Sequence, residues 1–311
     1  MAMVEPRVSR AEPLAGRYRL VDVVHRETNR VGHRAEDMAT GRPCLVTRIT
    51  LPGEQSAQDG RRATARVVRV SERMALLRPG RVARVRDVGA DAGSLWVVTE
   101  WIDGTPLTEL LDRQGSFDHA RAAGIALGLL DVLEAAHVAG ITHGELSPGQ
   151  VFVDDGGSVV VTGFGLAGAT LAPRVAAPAY AAPEQARDER VGPASDLWAL
   201  GAILYSLLEG RPPYRDRDRP ETTLKGVDRL PLRAPVRSGP LTRTVQGLLR
   251  KDSRERLSRT VVREALVRVL DEDHGGAPPR EDPARVTRRR TAGPLRGRRA
   301  PALGTALAVV T

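Results

Sequence analysis

Four side chains within eight residues carry most of the chemistry open to this chain. The stretch Gly140-Ile-Thr-His-Gly-Glu-Leu-Ser-Pro-Gly-Gln-Val-Phe-Val153 presents His143, Glu145, Ser147 and Gln150, and Thr162-Gly-Phe-Gly-Leu-Ala167 follows it. Glu145 supplies a carboxylate, the group a proton-accepting base needs. A hard divalent cation wants several oxygen ligands in near-octahedral array; Gly163 has no side-chain oxygen and Gln150 offers only an amide. Asp154 and Asp155 stand nearby, but Asp154-Asp-Gly-Gly157 between two apolar runs reads as a hairpin turn. The six histidines and the lone cysteine show no ligand spacing for a structural zinc.

These residues sit in an ordered series of motifs. Gly16-Arg-Tyr-Arg-Leu-Val21 precedes Thr40-Gly-Arg-Pro-Cys-Leu-Val-Thr-Arg-Ile49 and Leu95-Trp-Val-Val-Thr-Glu-Trp-Ile-Asp-Gly104. After the central stretch come Ala177-Pro-Ala-Tyr-Ala-Ala-Pro-Glu184, Asp196-Leu-Trp-Ala-Leu-Gly201 and Arg254-Glu-Arg256. In order and spacing, from about residue 17 to 272, the series resembles the eukaryotic-like serine/threonine protein kinase family of bacteria. The resemblance implies an α+β, bilobal protein-kinase-like fold, with a small antiparallel β-rich N-lobe and a larger, mainly helical C-lobe. The expected division is a polar tail at 1–16, the N-lobe at 17–101, the C-lobe at 102–273, a basic linker at 274–299 and a short apolar tail at 300–311.

The family pattern reads His-Arg-Asp-Leu-Lys-Pro-x-Asn, then Asp-Phe-Gly. Here the chemical slots have changed: Glu145 stands for the aspartate base, Ser147 for the lysine, Gln150 for the asparagine and Gly163 for the metal-binding aspartate. The phosphate-contacting lysine of the third strand becomes Thr47, with Arg48 expected on the opposite face, and no lysine precedes Lys225. Glu72 or a neighbour would be the helix acid that pairs with that lysine; without it, a solvated acid is expected. The glycine-rich loop that covers phosphates reads Val24-His-Arg-Glu-Thr-Asn-Arg-Val31, with no glycine until Gly32, so Arg26 and Glu27 are expected to hinder close approach. The scaffold slots persist: His143 bracing the loop, Phe164 and Gly165, Glu184 paired with Arg256, and Asp196 tying a buried helix to the loop.

Composition bounds the alternatives. The 311 residues suit one such fold plus tails, and 41% hydrophobic content suffices for a core although aromatics are only 3%. One cysteine, Cys44, excludes an internal disulfide and suits a reducing cytoplasm; its apolar strand favours a core role. The net charge of +9 points toward nucleic acid, but all except Lys225 and Lys251 of the 47 basic residues are arginine. That bias reads as codon usage in a G+C-rich genome, and few aromatics are available for base stacking. Arg280 to Arg299 holds eight arginines against two acids, followed by an uncharged tail too short to span a bilayer, which needs about 20 residues. A basic run before an apolar one resembles a juxtamembrane flank.

Periodicity predicts helices over Arg66–Leu77, Ala120–Ala139 and Ser195–Glu209, the last apolar nearly all round and capped by Gly210. Val85–Gly89 and Leu95–Glu100 read as paired strands.

Together these features point to a pseudokinase: a catalytically impaired regulatory or scaffolding module that acts through a protein partner, cytoplasmic, with Arg280–Arg299 as a candidate contact to a membrane surface. No catalytic residue, metal or obligatory cofactor is expected. ATP stays a candidate through hinge contacts at Thr99, Glu100 and Ile102; magnesium is not expected. The alternative is a weakly active serine/threonine kinase that uses Glu145. On the first reading Glu145→Ala should leave stability nearly unchanged, whereas breaking the Glu184–Arg256 pair should not.

Overall fold

A computed structural model describes residues 12–51, 56–91, 93–167 and 177–275. By its contacts the chain divides into Met1–His274 and Gly275–Thr311, and the elements below belong to the first unit, up to the last residue of its final helix. Arg280–Arg299, the apolar tail and Ala176 lie outside the described residues.

The chain opens with an antiparallel sheet in the order β1-β2-β3-β5-β4. Its strands are β1 (Tyr18–Arg26), β2 (Arg30–Asp37), β3 (Arg42–Thr50), β4 (Val85–Asp91) and β5 (Ser94–Glu100). Strand alternation gives the sheet two apolar faces. One packs Ile49, Leu95 and Val97 on Ala63 and Val67 of helix α1 (Ala57–Leu77). The other buries Tyr18, Cys44, Val46, Trp96 and Val98. Helix α1 begins nine residues before the predicted Arg66: the Ser56 hydroxyl accepts the Asp59 N–H at 3.1 Å, a cap that the arginine-rich first turns masked in the periodicity.

The remainder is mainly helical. A short sheet of β6 (Thr105–Pro106), β7 (Val151–Val153) and β8 (Val159–Val161) lies among α2 (Leu107–Gln114), α3 (His119–Val138), α4 (Pro183–Ala186), α5 (Pro193–Glu209), α6 (Pro220–Arg229), α7 (Thr242–Leu248) and α8 (Arg259–Gly275). In α3, at the predicted position, Ile125, Leu129, Leu130, Leu133 and Ala136 recur at helical spacing and are buried against α5, which is itself buried from Ser195 to Glu209 and ends on left-handed Gly210. Asp154-Asp-Gly-Gly157 is the β7–β8 turn, closed by the Ser158 N–H donating to Asp154 Oδ1 at 2.7 Å. This is the bilobal architecture that the motif series implies. It hangs the loop from Gly140 to Gln150 between sheet and helices.

Candidate functional site

The central loop is held by Asp196 in the first turn of α5. Its carboxylate accepts the backbone N–H of His143 at 2.9 Å and of Gly144 at 2.7 Å, and lies 2.7 Å from His137 Nε2. His143 is fully buried, its Nε2 sits 2.9 Å from the Thr162 carbonyl, and its ring meets Phe164 edge-on at 4.7 Å. Burial pushes its pKa down, so the ring is neutral and donates from Nε2. Gly144 has φ +80° and a Cβ there would stand 2.7 Å from Ala167 Cβ. The arginine of the family pattern therefore has no place in this backbone. Phe164 in turn accepts the Ser71 hydroxyl on its carbonyl at 2.9 Å, with Gly165 pressed on the backbone of α1.

The β1–β2 turn closes onto this loop with side chains. Arg30 runs into the cleft and its guanidinium pairs with the Glu145 carboxylate, the two side chains being 1% and 5% exposed. Glu27 from the same turn accepts the Ser147 hydroxyl and a backbone hydrogen bond from Gly149. Burial raises the Glu27 pKa, opposed by Arg30 and these two donors. His25 folds inward against Phe152 at 6.3 Å, over Gly32, where any Cβ would lie 2.1 Å from the imidazole. Gly32 of β2 thus makes room for the protein's own ring. Arg26 is exposed, so the obstruction expected from Arg26 and Glu27 is made by Glu27, Arg30 and His25.

Burial, with Arg30 and His33 adding positive charge, lowers the His25 pKa to about 4. A histidine depressed in the fold contributes stability that is complete above its unfolded value near 6.5 and lost as pH falls toward 4. A drop of this size is worth about 3 kcal/mol. His25→Phe, which keeps a ring against Phe152, should flatten the fall in stability between pH 6.5 and 4 seen for the wild type in urea titrations. Identical slopes would show that His25 does not titrate with folding.

The space left is a cavity of about 20 Å³ bordered by His25, Arg30, Thr47, Thr99, Gln150 and Phe164. That is room for one water, against the roughly 300–1,000 Å³ of a ligand pocket. Thr47 forms part of the wall and Arg48 is exposed on the other face, as strand alternation requires. Val67 and Ser71 are the α1 residues that line the cavity, while Glu72 points to solvent. Above it, Leu45, Ala83, Ile102 and Phe152 form one apolar cluster with Val24. The candidate hinge contacts are taken up internally: Thr99 Oγ1 donates to the Glu100 carbonyl at 3.1 Å, Glu100 Oε1 accepts the Arg84 N–H at 3.2 Å, and Ile102 is buried in that cluster. Both amide atoms of Gln150 are buried without a partner among the described residues, and Gly163 lies against them. Among the described residues no group of three His, Cys, Asp or Glu is arranged to hold a metal ion. A nucleotide and its magnesium do not fit these residues: the volume is filled, the carboxylate is paired, and the metal slots offer one amide.

Expected stability effects of Glu145 need correction. Its carboxylate is one half of a buried ion pair, so Glu145→Ala strands Arg30, whose Nε and Nη1 already have no partner among the described residues. The tie between Glu184 and Arg256 is two-pronged, at 2.7 and 2.6 Å, with Arg256 also donating to the carbonyls of Ala194 and Arg250 and Ser195 Oγ donating to Glu184. Arg256 further stacks over Trp198 at 5.1 Å.

Two lobes, a loop hung on Asp196 and the Glu184–Arg256 tie define a protein-kinase domain. Residues 48–267 match the protein kinase domain family, and the chain belongs to it. It is 34% identical over 227 residues to a probable serine/threonine-protein kinase of Streptomyces coelicolor, covering 68% of this chain and 32% of that protein. It is 28% identical over 207 residues to the probable serine/threonine-protein kinase PknB of Lactococcus lactis, covering 64% and 32%. It is 31% identical over 207 residues to the serine/threonine-protein kinase PknE of Mycobacterium bovis, covering 64% and 36%. The chain spans about a third of the length of these curated relatives. No helix among the described residues is long and apolar enough to cross a membrane.

Sequence reasoning missed Arg30, His25 and the Leu45–Phe152 filling. The signal was present as charge in a turn that should be glycine, and as a leucine beside Thr47.

Proposed function

We propose that this domain is a pseudokinase: a regulatory or scaffolding module that binds a protein partner through its surface and performs no efficient phosphoryl transfer. The observation that carries this reading is the Arg30–Glu145 pair, which spends the only carboxylate in the base slot on neutralising a cation from the domain's own turn. A base that is already neutralised and closed off by Ser147–Glu27 has no proton-accepting role left. Loss of a positioned base typically costs about 10²–10⁴ in rate, and loss of electrostatic clamps as much again.

Bound ATP would supply the phosphoryl group and magnesium the charge neutralisation; the filled cleft, the paired Glu145 and the lone Gln150 amide support a domain that holds neither. The names of the relatives favour the second reading, a weakly active serine/threonine kinase that uses Glu145 after opening of the turn. A membrane contact through Arg280–Arg299 is likewise a proposal.

A melting scan separates the first two readings. Ligand at 100 times its dissociation constant stabilises a fold by about 2.7 kcal/mol. Millimolar ATP should give no shift with magnesium or with EDTA. A clear shift lost on chelation would favour the kinase reading and reject a closed cleft.

A further inference from the structure

Helix α1 and the central loop border a groove of about 830 Å³ that shares no lining residue with the filled cleft among the described residues. Arg66, Arg69 and Arg73 line one wall, spaced three and four residues apart, so they share a helix face. All three are exposed, and none has a carboxylate partner among the described residues. The carboxylates that also border the groove are occupied: Glu145 by Arg30 and Glu189 by Arg187 at 3.2 Å. Its uncompensated charge is therefore positive. Val70, Ile141 and Val191 give it an aliphatic lining, and Gly144 borders it without a side chain.

We infer that this groove docks an acidic, aliphatic-containing segment of a partner protein. Carboxylates spaced along such a segment meet Arg66, Arg69 and Arg73 as forked hydrogen-bond acceptors, while its apolar side chains use the aliphatic lining. A nucleic acid would leave that lining unused, and among the described residues no aromatic ring borders the groove for a base to stack on. The inference names the partner chemistry of the binding module proposed above and rests on that reading.

The test is fluorescence anisotropy with the full chain and a fluorescein-labelled peptide of glutamate, leucine and alanine. Because the chain is basic overall, the decisive comparison is between two variants of equal charge change. One is Arg66→Glu/Arg69→Glu/Arg73→Glu. The other reverses Arg229, Arg233 and Arg243, exposed in the helical lobe. The groove variant should weaken peptide binding by at least about tenfold, the remote variant by less than about threefold, and wild-type binding should weaken as salt rises. Should the groove variant melt early, the Arg66→Gln/Arg69→Gln/Arg73→Gln variant, expected to show a smaller loss, takes its place. Equal losses in both variants, or binding of labelled single-stranded DNA with none of the peptide, overturns the inference. Repeating the ATP melting scan on the same samples keeps the two readings apart. No peptide binding with no nucleotide shift defeats the groove alone, whereas a chelation-sensitive shift defeats the pseudokinase reading whatever the peptide does.

Discussion

Arg256→Ala should lower stability by about 3–5 kcal/mol, because it leaves the buried Glu184 carboxylate without its cation. That is a large part of a domain's usual stability of about 5–15 kcal/mol. The loss includes more than charge: Arg256 also donates to the carbonyls of Ala194, Arg250 and Lys251 and covers Trp198. Arg256→Lys keeps the charge but not the fork, so it should fall between wild type and alanine. The pH dependence has a definite sign. Burial alone would raise the Glu184 pKa, but the Arg256 hydrogen bonds and charge bring it below the ordinary value. The pair therefore contributes fully above the unfolded carboxylate range and loses its contribution as pH falls through the depressed value. The gap between wild type and Arg256→Ala in urea midpoints should narrow in acid. A small, pH-independent gap would mean that the pair contributes little.

The second large effect concerns Arg30 and Glu145. Either Arg30→Met or Glu145→Met alone should cost about 3–5 kcal/mol, since the first leaves the Glu145 carboxylate buried without its cation and the second leaves Arg30 with only the charge of Glu27. Replacing both with methionine should cost less than the sum, because an apolar pair of similar volume removes two desolvation penalties; the cost that remains includes the loss of the Arg30 charge that opposes burial of Glu27. The coupling in this double-mutant cycle reports the bond between the turn and the central loop. Additive losses would place the two side chains apart in solution.

Much of the fold was legible because its signals are local. The α3 stripe, the all-round apolar α5 and its Gly210 cap, the β4–β5 pair and the Asp154–Gly157 turn each follow from period or turn chemistry within a few residues. The site was legible only in part. The sequence reports that Gly163 and Thr47 lack the groups a phosphate and metal need, because that is a property of residue type. It does not report that Arg30 crosses to Glu145 over 115 positions, since a charged residue at a strand start usually faces solvent. Nor does it report that Gly32 exists to admit His25, because a glycine's use depends on which neighbour approaches it. The beginning of α1 was missed for a simpler reason: Arg61, Arg62 and Arg66 dilute the apolar period in its first turns, and only the Ser56 cap marks the start.

The central proposal, that this kinase-family domain performs no efficient phosphoryl transfer, is tested most directly by incubating the purified chain with radiolabelled ATP, magnesium or manganese, and generic protein substrates. No incorporation above a heat-denatured control is expected, into the chain or the substrates. Incorporation that follows the chain through successive columns in constant proportion to its mass would contradict the account.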